Sequence, residues 1–188
     1  MKTPPARAGV THHPRPMRSL WTHLTDAQLL AQCDVDTYRA SGPGGQKRNK
    51  TSSAVRLRHG PTGLIVIAEE SRSQHENKVK ALKRMRQALF LHLRDDLTGI
   101  SAESLAIHPD LAGTADGERL PATAKSPQFW PAAGVALDLL AAEHGHVRTS
   151  AALLGVSTAR FTDFLRIDPK VWQEANRIRS AVGLKVLR

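Results

Sequence analysis

Hydrophobic and polar residues change their period several times along this chain. Ala54-Val55-Arg56-Leu57-Arg58-His59 alternates apolar with polar side chains, the pattern of a half-buried strand. Gly60-Pro61-Thr62-Gly63 supplies a turn and Leu64 to Ala68 a second strand, so a β-hairpin is predicted. Val35 to Arg39 reads as another strand, followed by a glycine-rich segment and a turn of helix over Asn49 to Ser52. Thr25 with Gln28 has capping-box spacing and predicts a short helix through Leu29, Leu30 and Cys33. Ser73 with Glu76 repeats that signal and opens the longest helix, ended by Thr98-Gly99. Its apolar positions Val79, Leu82, Met85, Leu89 and Leu93 recur every three or four residues, a stripe suited to packing on the sheet. Lys78, Lys80, Lys83, Arg84 and Arg86 fall mainly on the other face, either solvated or meeting a polyanion.

Beyond that helix the pattern lapses and then returns. Residues 97–128 contain Pro109, Pro121 and Pro127 without sustained periodicity and read as a mobile linker. From Phe129 four helices are expected. One carries Val135 to Leu140, one runs over Ser150 to Leu154, one carries Phe161, Phe164 and Leu165, and one runs from Val171 to Val182. Ala151, Gly155-Val156-Ser157, Phe161 and Phe164 together resemble a bacterial helix-turn-helix, in which a small residue lets two helices cross closely. The expected organisation is a disordered basic tail over 1–18, an α+β domain over 19–96, the linker over 97–128 and a helical module over 129–188. The fold class is therefore α+β, a small mixed β-sheet with one long packed helix, followed by a separate all-α module.

Charge sharpens this division. The chain carries 27 Lys and Arg against 17 Asp and Glu, a net of +10. Residues 1–95 hold 17 basic and 7 acidic residues, whereas 96–188 hold 10 of each, so the whole excess sits with the α+β part. Residues 129–188 net only +3, small for a reader of duplex DNA. A localised excess of this kind suits a nucleic-acid partner. Cys33 is the only cysteine, which excludes a disulfide framework and a cysteine-based zinc site and fits a cytoplasmic setting as a small core residue. No apolar run approaches the ~20 residues of a membrane span. His12-His13 and the His144/His146 pair lack further ligands at metal spacing, and Trp21, Trp130 and Trp172 read as packing residues.

Ser41-Gly42-Pro43-Gly44-Gly45-Gln46 fits neither helix nor strand. It predicts an exposed loop with bare backbone amides and one functional side chain, Gln46, at its tip. Lys47, Arg48 and Lys50 follow at once. Gly44 to Thr51 nearly matches a phosphate loop, but Asn49 stands where that pattern needs glycine. With Arg39-Ala40 before it, then Asn49-Lys50-Thr51, Ser53-Ala54-Val55, His59-Gly60-Pro61-Thr62-Gly63, Arg72-Ser73-Gln74 and Asn77-Lys78, the segment resembles the catalytic domain of class I peptide-chain release factors and the related codon-independent ribosome-rescue factors.

The resemblance implies hydrolysis of the ester between a nascent peptide and tRNA on the large ribosomal subunit, without a metal or other cofactor. It places catalysis on Gly44, Gly45 and Gln46, with the Gln46 backbone N–H facing the developing oxyanion. It places rRNA or tRNA contact on Arg39, Ser41, Lys47, Arg48, Asn49, Lys50, Arg72, Gln74 and Lys78. Implied partners are the peptidyl-transferase rRNA, peptidyl-tRNA and a methyltransferase acting on Gln46, with the protein itself expected to be a monomer. Three departures from the family stand out. Lys47-Arg48 replaces the His-Val common in codon-reading members, the segment before Asp34 is too short for a codon-reading domain, and the strongly basic C-terminal tail of one rescue group is missing. These lead to an expectation of release without stop-codon reading. The alternative is an rRNA- or DNA-binding protein whose Gly-Gly-Gln loop is not catalytic.

Overall fold

The computed structural model describes residues 17–39, 53–112 and 120–188. Thr25 accepts from the Gln28 N–H at 3.3 Å while Gln28 Oε1 accepts from Thr25 N at 2.9 Å, so the expected capping box forms. It opens α2 (Asp26–Ala31), which follows a single turn, α1 (Ser19–Thr22). Cys33 is not in that helix. Gln32 ends it, and Cys33 begins β1 (Cys33–Tyr38) by pairing with His59, half-buried and with its Sγ donating to Leu29 O at 3.3 Å.

The described strands form one antiparallel sheet in the order β1-β2-β3, with β2 at Ala54–His59 and β3 at Ile65–Ala68. The sheet expected as mixed is antiparallel among the described strands: a short hairpin turn joins β2 to β3, and β1 pairs antiparallel with β2 from Cys33 opposite His59 to Tyr38 opposite Ala54. Gly63 sits at φ 70°, its N–H donating to His59 O at 2.8 Å, while the His59 N–H donates to Leu64 O at 2.9 Å. The left-handed turn residue is why glycine stands there. His59 itself is buried, its ring nitrogens reaching Thr62 Oγ1 at 2.8 Å and Gln32 Oε1 at 3.2 Å, with Trp21 edge-on at 5.4 Å. Burial holds this imidazole below its usual pKa.

α3 (Gln74–His92) covers the inner face of the sheet. Ala81, Leu82, Met85 and Leu89 pack on Val55, Leu57 and Ala68. Val79, expected in the stripe, is 58% exposed, because the buried face follows the row 77-81-85-89. The capping box at its start is half formed: Ser73 Oγ accepts from Glu76 N, but the Glu76 carboxylate accepts from Ser71 Oγ at 2.5 Å. The helix also ends before Thr98-Gly99, since Arg94 donates to the carbonyls of Phe90, Leu91 and Leu93 that a further turn would have used.

A second core lies among α5 (Phe129–Ala142), α6 (Val147–Leu153), α7 (Thr158–Arg166) and α8 (Pro169–Ala181), built around Phe129, Phe161 and Phe164. Gly155 at φ 67° turns α6 into α7, and the Ser157 side chain caps α7. The stretch read as a linker feeds this core. It contains α4 (Ala102–Ala106) and a 3-10 turn (Pro109–Leu111), and it buries Leu97, Leu105, Leu111 and Leu120.

One side chain joins the two parts. Arg18, assigned by the sequence to a disordered tail, is fully buried. Its guanidinium meets Asp138 Oδ2 at 2.5 Å, Asp110 Oδ2 at 3.2 Å and Asp95 Oδ2 at 3.3 Å, and lies 5.6 Å from the Phe90 ring centroid. Arg94 continues the network to Asp138 Oδ1 at 3.2 Å and Glu174 Oε1 at 3.3 Å. Gly134 makes room: a Cβ there would stand 2.6 Å from Arg18 Nη1 and 2.8 Å from Cζ. Burial pushes Asp138 from its usual 3.8 up to about 6, against the pull of Arg18 and Arg94.

Removing one member of such a network strands the others, so Arg18→Ala should cost about 3–5 kcal/mol of stability in denaturant unfolding. Gly134→Ala, which in an exposed helix would help by about 1 kcal/mol, should instead destabilise by about 1–3 kcal/mol through overpacking. A Gly134→Ala variant as stable as the parent would contradict this packing. The raised Asp138 pKa means that the folded form holds its proton more tightly than the unfolded chain. That contribution is complete below about pH 4 and is lost as pH rises through about 6. The stability of the parent relative to Asp138→Asn should therefore fall across that window.

Candidate functional site

The glycine-rich segment leaves and rejoins the fold at one end of the sheet. Tyr38, the last residue of β1, pairs with Ala54, the first of β2. The ladder stops there, and the carbonyl of Ser53 needs another partner. Asn77 supplies it, its Nδ2 donating to Ser53 O at 2.7 Å. The same Nδ2 donates to Ser71 O at 2.7 Å, and Oδ1 accepts from Ser71 N at 2.9 Å. Two carbonyls and one N–H fix which way this fully buried amide points. Ser71 Oγ also accepts from the Ser73 N–H at 3.0 Å, closing the turn that leads into α3.

This turn and the first coils of α3 carry Arg72, Gln74 and Lys78, at the end of the sheet where Arg39 follows β1. Arg39, Arg72 and Gln74 are exposed and Lys78 is half-buried. The structure thus gathers four of the sequence-predicted residues around the root of the segment. Ser41, Gly44, Gly45, Gln46, Lys47, Arg48, Asn49 and Lys50 lie outside the described residues. The Tyr38 hydroxyl donates to Glu69 Oε2 at 3.3 Å, reaching across β2 to the residue that follows β3.

Two cations on the polar side of α3 have structural work. Arg86 donates to Asp26 Oδ1 at 2.6 Å and to the carbonyls of Leu24 and Thr22, fastening α1 and α2 to α3. Arg84 pairs with Glu70 and donates to Ile67 O. Lys80 and Lys83 are exposed. Asn77 was missed as a site-shaping residue, although its place in the i+4 row with Ala81, Met85 and Leu89 marks a polar group directed at the core. On α7, Arg166 lies over the Trp172 ring at 5.0 Å and Arg160 donates to Leu120 O, so both of its arginines are engaged within the module.

The RF-1 domain family matches residues 29–105. Within this stretch the chain is similar to the RF-1 domain of peptide chain release factors. A 94-residue stretch is 44% identical to peptide chain release factor 1 of Erythrobacter litoralis, covering 50% of this chain and 26% of that protein. The protein of the same name from Solidesulfovibrio magneticus is 46% identical over 94 residues, with the same coverage of each chain. That from Acetivibrio thermocellus is 56% identical over 61 residues, 32% of this chain and 17% of the relative. The chain therefore spans about a quarter or less of the length of these curated relatives. The RF-1 match ends within α4, so the helical module from α5 onward lies beyond it. Among the described residues no helix is long and apolar enough to cross a membrane.

Asn77→Ala would orphan the Ser53 and Ser71 backbone groups within the RF-1 domain. It should lower stability by about 1–3 kcal/mol, read by urea unfolding, and speed exchange of the Ser71 amide. Asn77→Asp should be no better, since a carboxylate cannot donate to two carbonyls. Unchanged exchange at Ser71 in both variants would remove Asn77 from this role.

Proposed function

We propose that this protein hydrolyses the peptidyl-tRNA ester on the ribosome and releases the nascent peptide without reading a stop codon. One observation carries the reading: Gly44-Gly45-Gln46 lies inside the stretch matched by the RF-1 domain family. In this reaction water attacks the ester carbonyl, negative charge develops on its oxygen, and the ribose hydroxyl departs. A backbone N–H placed against that oxygen is worth about 3–4 kcal/mol, and the Gln46 amide takes that part. The Gln46 side chain orients the water. Gly44 and Gly45 give the backbone freedom and the space that a Cβ would fill. Arg39, Ser41, Lys47, Arg48, Asn49, Lys50, Arg72, Gln74 and Lys78 meet rRNA and tRNA, and Gln46 is the residue a methyltransferase would modify.

Independence from a stop codon is supported by Lys47-Arg48, which stand where codon-reading members commonly carry His-Val. Beyond the matched stretch the described residues form a helical module with its own core. This module positions the enzyme rather than catalysing. Its engaged Arg160 and Arg166 favour that role over DNA reading.

Purified protein added to ribosomes holding peptidyl-tRNA should release peptide whether or not a stop codon occupies the A site. Release confined to stop-codon complexes would refute the codon-independent reading. Gly45→Ala should abolish release while ribosome binding stays within a few-fold, separating chemistry from affinity. Equal loss of both would make the loop a binding element. Each removed phosphate contact, for instance by Lys47→Ala or Arg72→Ala, should flatten the plot of log affinity against log salt by about 0.7–0.9.

A further inference from the structure

A groove of about 700 Å³ runs along the joint between the RF-1 domain and the helical module. Three elements provide most of its lining: residues 64–67 at β3, a stripe of α3 from Arg84 to His92, and a stripe of α8 from Lys170 to Arg177, and Trp130 of α5 adds to it. No residue of β2 lines it, so it lies beyond the free edge of the sheet.

That edge has unused backbone. Hydrogen-bonded pairs alternate along an antiparallel ladder. The His59 N–H donates to Leu64 O, and the register pairs Arg58 with Ile65, Leu57 with Val66 and Arg56 with Ile67. Ile65 and Ile67 therefore turn their N–H and C=O groups away from β2. Arg84 Nη1 donates to Ile67 O from the outer side, which fits this orientation. The side chains of Ile65 and Ile67 are exposed as well.

The edge backbone restricts the occupant. The outward N–H groups of Ile65 and Ile67 need backbone partners at strand spacing, which an extended chain offers and an α-helix, with its backbone bonds closed internally, does not. Charge narrows it further. Glu174 is already met by Arg177 at 2.7 Å and by Arg94 at 3.3 Å, and Arg84 is met by Glu70. Lys170 is exposed on the groove wall and carries no such carboxylate partner among the described residues. Gln87 and Gln173 add amide groups that can bond to a peptide.

We propose that this groove is a docking site for an extended acidic peptide segment of a partner protein, which adds to β3 as a fourth strand and places a carboxylate against Lys170. The backbone of Ile65 and of Ile67 (its N–H) supplies the ladder, the apolar lining takes alternate side chains, and Lys170 selects for negative charge. The site is independent of peptidyl-tRNA hydrolysis.

The full-length protein should be titrated with an acetylated heptapeptide of alternating valine and glutamate, following backbone amides by NMR. The Ile65 and Ile67 amides should shift and exchange at least ten-fold more slowly at saturation. The same peptide N-methylated at alternate residues should bind at least ten-fold more weakly, because the ladder cannot form. Ile65→Pro removes one edge N–H at a position where a strand tolerates proline and should weaken binding similarly. Lys170→Glu, a surface change that needs no refolding, should weaken it about five-fold or more. Absence of binding at millimolar peptide, equal binding of the N-methylated peptide, or displacement of the same resonances by single-stranded hexauridylate in place of the peptide would each overturn the proposal.

Discussion

A guanidinium removed from water sets the terms for the whole architecture. Burying Arg18 is unfavourable unless carboxylates surround it, and those carboxylates come from the chain after α3, from the 3-10 turn and from α5. Each source must therefore arrive at one point. The N-terminal turn, the end of the long helix and the helical module cannot be arranged independently once that condition holds. Arg94 reinforces it by doing two things at once, ending α3 and reaching Asp138 and Glu174. A hydrophobic joint could slide by a fraction of an ångström at little cost. A network of fixed charges and directional bonds resists such sliding, so the RF-1 domain and the module meet in one register.

Local physics made much of this fold legible. The Thr25 capping box, the alternation over 54–59, the turn at Gly60 to Gly63 and the four helices after Phe129 each depend on neighbours a few residues away, and each is present. The failures are non-local. Arg18 sits amid prolines and basic residues, and nothing near it in sequence announces partners at 95, 110 and 138. The leucines of 97–120 are too widely spaced to form a periodic stripe, yet the module collects them singly. Val79 continued the apolar spacing but falls on the side of α3 turned away from the row that faces the sheet. The shortened α3 follows from an arginine that caps it from outside.

The candidate site divides in the same way. Its motif was legible as a local signal, a glycine-rich segment followed by lysine and arginine, in residues that lie outside those the structure describes. Its support was not. Asn77 joins the returning limb at Ser53 to the turn at Ser71, a contact between segments far apart in sequence. The chemistry proposed for the Gly-Gly-Gln segment needs such a foundation. A backbone amide can stabilise an oxyanion only if the chain leading to it enters at a reproducible angle.

The three tryptophans are distributed in a useful way. Trp21 belongs to the core beneath the sheet, edge-on to His59, whereas Trp130 and Trp172 pack against the core of the helical module. Each half thus contains its own fluorophore. Light emitted from the first reports solvent entry beneath the sheet, and light from the other two reports loosening of the helices. With the appropriate tryptophans replaced, the two halves can be watched separately as denaturant rises, and coincident transitions would identify a single cooperative unit held together across the charged joint.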